Sequence, residues 1–279
     1  MWKFSAPQTI AVCAPAGAIA PEIAAAGITA LRNAGAEVTV LPHCFTGSEL
    51  PFLAADDALR AADITAGAAL GTTLWATRGG YGCARILDLL DWEKLRQCDF
   101  KIAGFSDITA LHWAMTARHA GTAVAAPMLK FLSEMDDDLS IQTLNNALES
   151  RPVSLQLTAL RGNYAGGLAL PGNLTVAASL AGSKFFPDTT GRIIVLEDVG
   201  EAPYRIDRAL TQLRLAGAFA KCAGVVFGYF TDCGDVTPVL QNFAATARCP
   251  VFTGLPFGHE MPFYSLSTAQ LITVTGKEM

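Results

Sequence analysis

The chain is 279 residues long, 51% hydrophobic and 16% charged, with a mean hydropathy of +0.34; so much apolar surface excludes a disordered protein and fits one large domain or two modest ones. Its 20 Lys and Arg against 25 Asp and Glu give a net charge of −5 without a basic run, which argues against nucleic acid as a partner, because neutralising phosphates needs clustered cations. Apolar runs are short, and Thr122–Leu132 is cut by Pro127 and Lys130, so nothing approaches the roughly 20 residues of a membrane helix and no membrane partner is expected.

Along the chain, Thr9–Ala14 reads as a strand and Pro21–Ala34 as a helix opened by its proline. Strand Glu37–Leu41, helix Ala54–Leu70, strand Thr73–Thr77, helix Tyr81–Gln97, strand Phe100–Phe105, helix Asp107–His119 and strand Thr122–Ala126 follow. The alternation predicts an α/β fold, with a flavodoxin-like or Rossmann-like parallel sheet covered on both faces, over residues 1 to about 150. Residues 151–172 break the rhythm with Pro152, Pro171 and the Gly166-Gly167 pair, and read as a linker. Residues 173–279 read as a smaller C-terminal α/β domain. It holds helix Asn173–Leu180, strand Arg192–Asp198, helix Tyr204–Leu215, strand Gly224–Phe230, helix Thr237–Ala247, and strands near Val251–Phe257 and Ala269–Val274. The crevice between two such domains is the expected place for a site.

The first residues, Met1–Gln8, contain no apolar stretch followed by a small-residue cleavage site. Cys13, Cys44, Cys83, Cys98, Cys222, Cys233 and Cys249 are odd in number and form no C-x-x-C pair. Both features point to a cytoplasmic protein with reduced thiols. No His, Asp or Glu cluster has metal-ligand spacing, so neither a metal nor another cofactor is expected.

Three segments can carry chemistry. In Gly104-Phe-Ser-Asp107 a strand ends and a helix begins, which lifts the Ser106 hydroxyl above the sheet's carboxyl edge and leaves the next N–H unpaired for an oxyanion. This follows the logic of a nucleophile elbow, although Ile108 replaces the last glycine of G-x-S-x-G; read alone, Ser-Asp at a helix start is an ordinary N-cap. Thr77-Arg-Gly-Gly-Tyr-Gly82 is a second strand-to-helix turn. Its glycines either let backbone N–H groups approach an anion or carbonyl, or simply form a tight turn. Strand Arg192–Val199 ends in Glu197 and Asp198, of which alternation turns one inward; the pair also reads as solvated charges or as a cap for the next helix. A serine nucleophile needs a base, and imidazole is the usual one. His112 and His119 lie too far along the helix after Ser106 to reach back, and His43 ends a strand as a surface residue. His259, in a glycine-containing turn of the other domain, is the best-placed base.

Taken in order, these segments resemble the LD-carboxypeptidase family, the muramoyl-tetrapeptide carboxypeptidases of bacterial cell-wall recycling, over nearly the whole chain. The similar stretches are Ile10–Ala16, Arg78–Gly82, Gly104–Leu111, Leu196–Val199 with Pro203–Arg208, and Pro256–His259. The resemblance implies a serine peptidase with Ser106 as nucleophile, His259 as base and Glu197 as orienting carboxylate. It implies a flavodoxin-like N-terminal domain, a smaller C-terminal domain, often a homodimer, and removal of the terminal D-alanine from a murein tetrapeptide at its L,D bond. On that mechanism the Asp107 N–H and one of Gly79 or Gly80 hold the oxyanion, the Asp107 side chain turns away, and Arg78 receives the D-alanine carboxylate.

Two stretches depart from the family pattern. Pro171 stands where glycine is usual, and Met261-Pro-Phe-Tyr-Ser265 replaces the more usual Pro-Leu-Gly after the histidine; Glu201, four residues beyond Glu197, is a competing carboxylate. The alternatives are a microcin-C-type self-immunity peptidase acting on aminoacyl-nucleotide conjugates, and a non-catalytic two-lobed ligand-binding protein. The absence of a long insertion after the nucleophile helix favours a small peptide or muropeptide substrate.

Overall fold

In the computed structural model, which describes residues 2–277, apolar strands alternate with helices through the first half as expected. The order is β1 (Gln8–Cys13), α1 (Pro21–Asn33), β2 (Ala36–Val40), α2 (Asp57–Ala69), β3 (Thr73–Ala76), α3 (Cys83–Ile86), α4 (Trp92–Leu95) and β4 (Lys101–Gly104). A 3-10 turn over Ser106–Ile108 leads into α5 (Thr109–Arg118), β5 (Thr122–Ala125), α6 (Leu129–Leu132) and α7 (Asp138–Leu148). The strands pair in the order β2-β1-β3-β4-β5, all parallel. Ile10, Val12, Leu74, Trp75, Ile102 and Val124 are all buried, as in a sheet covered on both faces. Strand order reverses between β1 and β3, and the crevice above their carboxyl ends is where open α/β sheets bind ligands. The expected single helix over Tyr81–Gln97 is two, because Asp91 accepts from the Lys94 N–H and so starts α4 afresh.

The second half contains β6 (Val153–Arg161), β7 (Tyr164–Asn173), α8 (Leu174–Ser179), β8 (Arg192–Val199), α9 (Pro203–Leu215), β9 (Gly224–Thr231), α10 (Thr237–Thr246), β10 (Val251–Thr253), β11 (Leu266–Ser267) and β12 (Leu271–Lys277). Six of these strands close into a barrel in the order β10-β6-β12-β7-β8-β9. The linker expected over 151–172 is therefore two long strands of that barrel. Alternating Val153, Leu155 and Leu157 with Ser154, Gln156 and Thr158 is a period-two pattern that the surrounding Pro and Gly obscure.

The two halves also interlock. β11 leaves the C-terminal region to pair antiparallel with β5 at the edge of the first sheet. Ser140 and Thr143 of α7 bind the approach to it, accepting from the N–H groups of Phe263 (2.8 Å) and Ser265 (3.2 Å). From α5, the Trp113 indole donates to the Pro171 carbonyl (3.1 Å), and Thr109 Oγ1 accepts from the Asn173 N–H (2.8 Å). Among the described residues no helix is long and apolar enough to cross a membrane.

His112 points from α5 into the core, fully buried, and donates from Nε2 to the Ile102 carbonyl at 3.0 Å. Burial lowers its pKa to about 4, against the opposing effect of that hydrogen bond. The unfolded chain therefore takes up a proton near pH 6.5 and the folded chain only near pH 4. The histidine's contribution is present above the first value and lost as pH falls through the second. In urea unfolding at pH 7 and pH 4.5, the native protein should lose about 2 kcal/mol more stability than His112→Gln. Equal losses would refute the assignment.

Candidate active site

Gly104 ends β4, Phe105 is extended, and Ser106 opens the 3-10 turn with a φ of 62°. A left-handed serine between strand and helix is strained, and such strain gathers where a side chain must be presented sharply. Ser106 Oγ lies 3.1 Å from His259 Nε2, and His259 Nδ1 lies 2.8 Å from Glu197 Oε2. A carboxylate only accepts, so Nδ1 carries the ring proton and Nε2 accepts from the serine hydroxyl. Ser106, Glu197 and His259 thus form one chain of hydrogen bonds. The other histidines lie apart: His43 pairs with Asp63 at 2.7 Å, His112 is in the core, and His119 ends α5.

Glu197 lies where the pairing of β8 with β9 shifts register, between Leu196 and Asp198. A register shift re-aims side chains, and here both carboxylates are buried, Glu197 at 0% exposure and Asp198 at 2%. They are therefore neither solvated strand-end charges nor a cap for α9. Asn173, at the end of β7, donates from one amide nitrogen to Glu197 Oε1 (3.2 Å) and Asp198 Oδ1 (2.9 Å). Asp198 Oδ2 accepts from the N–H (3.0 Å) and hydroxyl (2.7 Å) of Thr175 in the first turn of α8. Asn173 Oδ1 caps the same helix by accepting from the Val176 N–H (3.0 Å). Burial pushes the Glu197 carboxyl above the usual range, while the His259 hydrogen bond and charge pull it back. Glu201 is not a rival, since it pairs with Arg205 at 3.3 Å.

His259 follows β10 in a turn fastened to β9, where the Tyr229 N–H donates to the Phe257 carbonyl at 2.8 Å. Gly258 has a φ of 142°, and a Cβ there would stand 3.1 Å from Glu197 Oε2, so this position takes only glycine comfortably. The imidazole packs on Phe105 with ring centroids 4.8 Å apart, and Phe105 packs on Phe263 at 4.9 Å.

Opposite the histidine, a Cβ on Gly79 would come within 3.2 Å of Ser106 Oγ and of the Asp107 nitrogen, so only bare backbone fits against the serine. Among the described residues the N–H groups of Gly79, Gly80 and Asp107 have no intramolecular acceptor. The equivalent Cβ on Gly80 would face Arg78, at 3.3 Å from its Nη2, which leaves Gly79 as the glycine against the serine. The Asp107 carboxyl is turned away as expected, accepting from the Cys83 N–H at 2.9 Å; burial raises its pKa. Arg78 donates from Nη1 to the Ala18 carbonyl (3.1 Å), and its buried Nε has no partner. With Gly17, Ala18, Phe52, Gly80 and Tyr81 it lines a cavity of about 480 Å³ at the β1–β3 crevice.

Two supporting residues were not singled out from the sequence. Asn173 falls next to the stretch read as linker, although an Asn before a short helix is itself a cap signal. Arg60 is a buried arginine within the apolar face of α2 formed by Ala61, Ile64 and Ala68. It donates to the carbonyls of Pro15, Ala55 (3.0 Å) and Gly82 (3.0 Å), stitching the glycine turn to the loop after β1. A charge inside an apolar stripe was the available sign.

The LD-carboxypeptidase N-terminal domain family matches residues 10–126, and the LD-carboxypeptidase C-terminal domain family residues 166–274. A putative carboxypeptidase of Streptomyces coelicolor is 36% identical over 263 residues, covering 90% of this chain and 84% of its own. The murein tetrapeptide carboxypeptidase of Pseudomonas aeruginosa is 30% identical over 271 residues, with 90% and 87% covered. The crystal structure of a muramoyltetrapeptide carboxypeptidase from Oxalobacter formigenes superposes with a TM-score of 0.82 at 27% identity, over 96% and 95% of the two chains. An MccF-like protein from Bacillus anthracis reaches 0.87 at 18% identity over 99% and 95%, a likeness of fold.

Asn173 is the shared donor of two buried carboxylates and the cap of α8. Asn173→Ala should lower unfolding stability by about 2 kcal/mol in a urea titration. A change below about 0.5 kcal/mol would mean that the carboxylates find other donors.

Proposed function

The chain belongs to the LD-carboxypeptidase family, and from that membership we propose that it is a serine carboxypeptidase removing the terminal D-alanine from murein tetrapeptides at the L,D bond. Membership makes it a hydrolase and sets aside the reading as a non-catalytic binding protein. The observation that carries the proposal is the Ser106–His259–Glu197 chain, at 3.1 and 2.8 Å, beneath unpaired backbone N–H groups. The named murein and muramoyltetrapeptide carboxypeptidases among its relatives support the substrate.

In this mechanism His259 Nε2 takes the Ser106 hydroxyl proton as Oγ bonds to the carbonyl carbon. Glu197 holds the ring in the tautomer that can accept, and stabilises the imidazolium once it forms. Negative charge moving onto the carbonyl oxygen is held by the N–H groups of Asp107 and Gly79, with no rearrangement needed at that moment. The C–N bond then breaks, and His259 returns the proton to the departing D-alanine amine. Water, deprotonated by the same nitrogen, hydrolyses the acyl-serine ester and restores the hydroxyl. Arg78, whose side chain lines the crevice, receives the terminal carboxylate. The mostly buried free thiols suit the cytoplasmic, reducing compartment that a recycling enzyme implies.

Incubation with purified disaccharide-tetrapeptide should yield, by mass spectrometry, a product lighter by one alanine. Ser106→Ala should lower kcat by about 10⁴-fold or more while the circular dichroism spectrum is unchanged; retained turnover would exclude this mechanism. Arg78→Ala should raise KM for the tetrapeptide about tenfold with a smaller effect on kcat, and an unchanged KM would remove Arg78 from the site. An aminoacyl-nucleotide conjugate assayed in parallel separates this activity from that of a self-immunity peptidase.

A further inference from the structure

Lys130 stands beside the proposed site with its charge uncommitted. It lies in α6, half-buried, with Nζ 4.3 Å from the centroid of the Phe131 ring. Phe131 packs on Phe105 at 5.8 Å and, with Gly258, His259, Glu260 and Met261, lines the cleft on the histidine side of Ser106, where Glu260 accepts from the Thr231 hydroxyl at 2.8 Å. An aromatic face steadies an ammonium without neutralising it and leaves its donors free. Among the described residues no carboxylate lies within ion-pair distance of Lys130.

Arg78 occupies the other flank, adjoining Gly79, whose backbone meets Ser106. Burial lowers the pKa of the Lys130 ammonium, the Arg78 charge lowers it further, and Glu134 opposes both. Two cations near each other in a partly dehydrated place repel, and an anionic ligand offsets that repulsion. One carboxylate satisfies only one of them.

Given the function proposed above, a tetrapeptide ending in diaminopimelyl-D-alanine brings two carboxylates around the scissile bond. One is the D-alanine terminus, and the other ends the side chain of the diamino acid. A peptide with lysine in that position lacks the second. We propose that Lys130 is a specificity-determining residue whose ammonium receives the side-chain carboxylate of the diamino acid while Arg78 receives the terminal one.

The test measures steady-state release of D-alanine from two synthetic tetrapeptides that differ only in the third residue, meso-diaminopimelate or L-lysine. The native enzyme should favour the diaminopimelyl peptide about tenfold or more in kcat/KM, with the difference in KM. Lys130→Met keeps the stem over Phe131 and removes only the charge; it should bring the ratio near one, and Lys130→Arg should restore most of it. A native ratio near one overturns the proposal without recourse to any variant. A Lys130→Met loss that falls equally on both peptides overturns it as well, because the lysine would then hold the terminus that both share. Failure to release D-alanine from either peptide is a different result, which overturns the proposed function and this assignment with it.

Discussion

The hydrogen bond from His259 to Glu197 is the constraint around which the rest is arranged. A carboxylate at 0% exposure is costly to desolvate, and it is tolerated only where donors satisfy it. Glu197 has the imidazole on one oxygen and Asn173 on the other. Asn173 is shared with Asp198, and Asp198 with Thr175, so the end of β7, the end of β8 and the start of α8 form one polar cluster. Because these partners are backbone-anchored, the imidazole is oriented before any substrate arrives. Preorganisation of this kind avoids reorganisation during a reaction.

On the opposite side of the crevice the first sheet presents Ser106 and Gly79 from the carboxyl ends of β4 and β3. Close approach, rather than side-chain chemistry, dominates there. Gly79 admits the serine, the Asp107 carboxyl is drawn off to Cys83, and Arg60 pins the turn from below. The serine and the histidine come from different sheets, yet meet without any domain movement, because α5 is bonded to β7 and α7 to the segment before β11.

Much of this is legible in the residues, unevenly. The parallel sheet follows from runs such as Thr73–Ala76 and Lys101–Gly104, whose continuity and spacing admit few alternatives. Ser106 stands out from its place between strand and helix, and His259 by the poor placement of the other three histidines. Between Glu197 and Asp198 the pattern alone does not choose. Alternation predicts one inward side chain, whereas the register shift at β8–β9 buries both; family resemblance points to Glu197. The barrel is hidden because Pro152, Pro171 and the Gly166-Gly167 pair suggest a loop, while closure depends on partners far along the chain. Asn173 and Arg60 matter only through tertiary contacts that no local spacing reports.

The crossing of β11 has a further consequence. The polypeptide carrying His259 leaves the barrel at β10, docks on β5 through Leu266 and Ser267, and returns to the barrel as β12. This segment is therefore moored at both ends, to a different sheet at each. A fragment ending near residue 150 would bare the β5 edge, whose unpaired backbone groups invite strand-to-strand aggregation. The halves are thus not interchangeable modules, and recombining either with a foreign counterpart would have to preserve this shared strand.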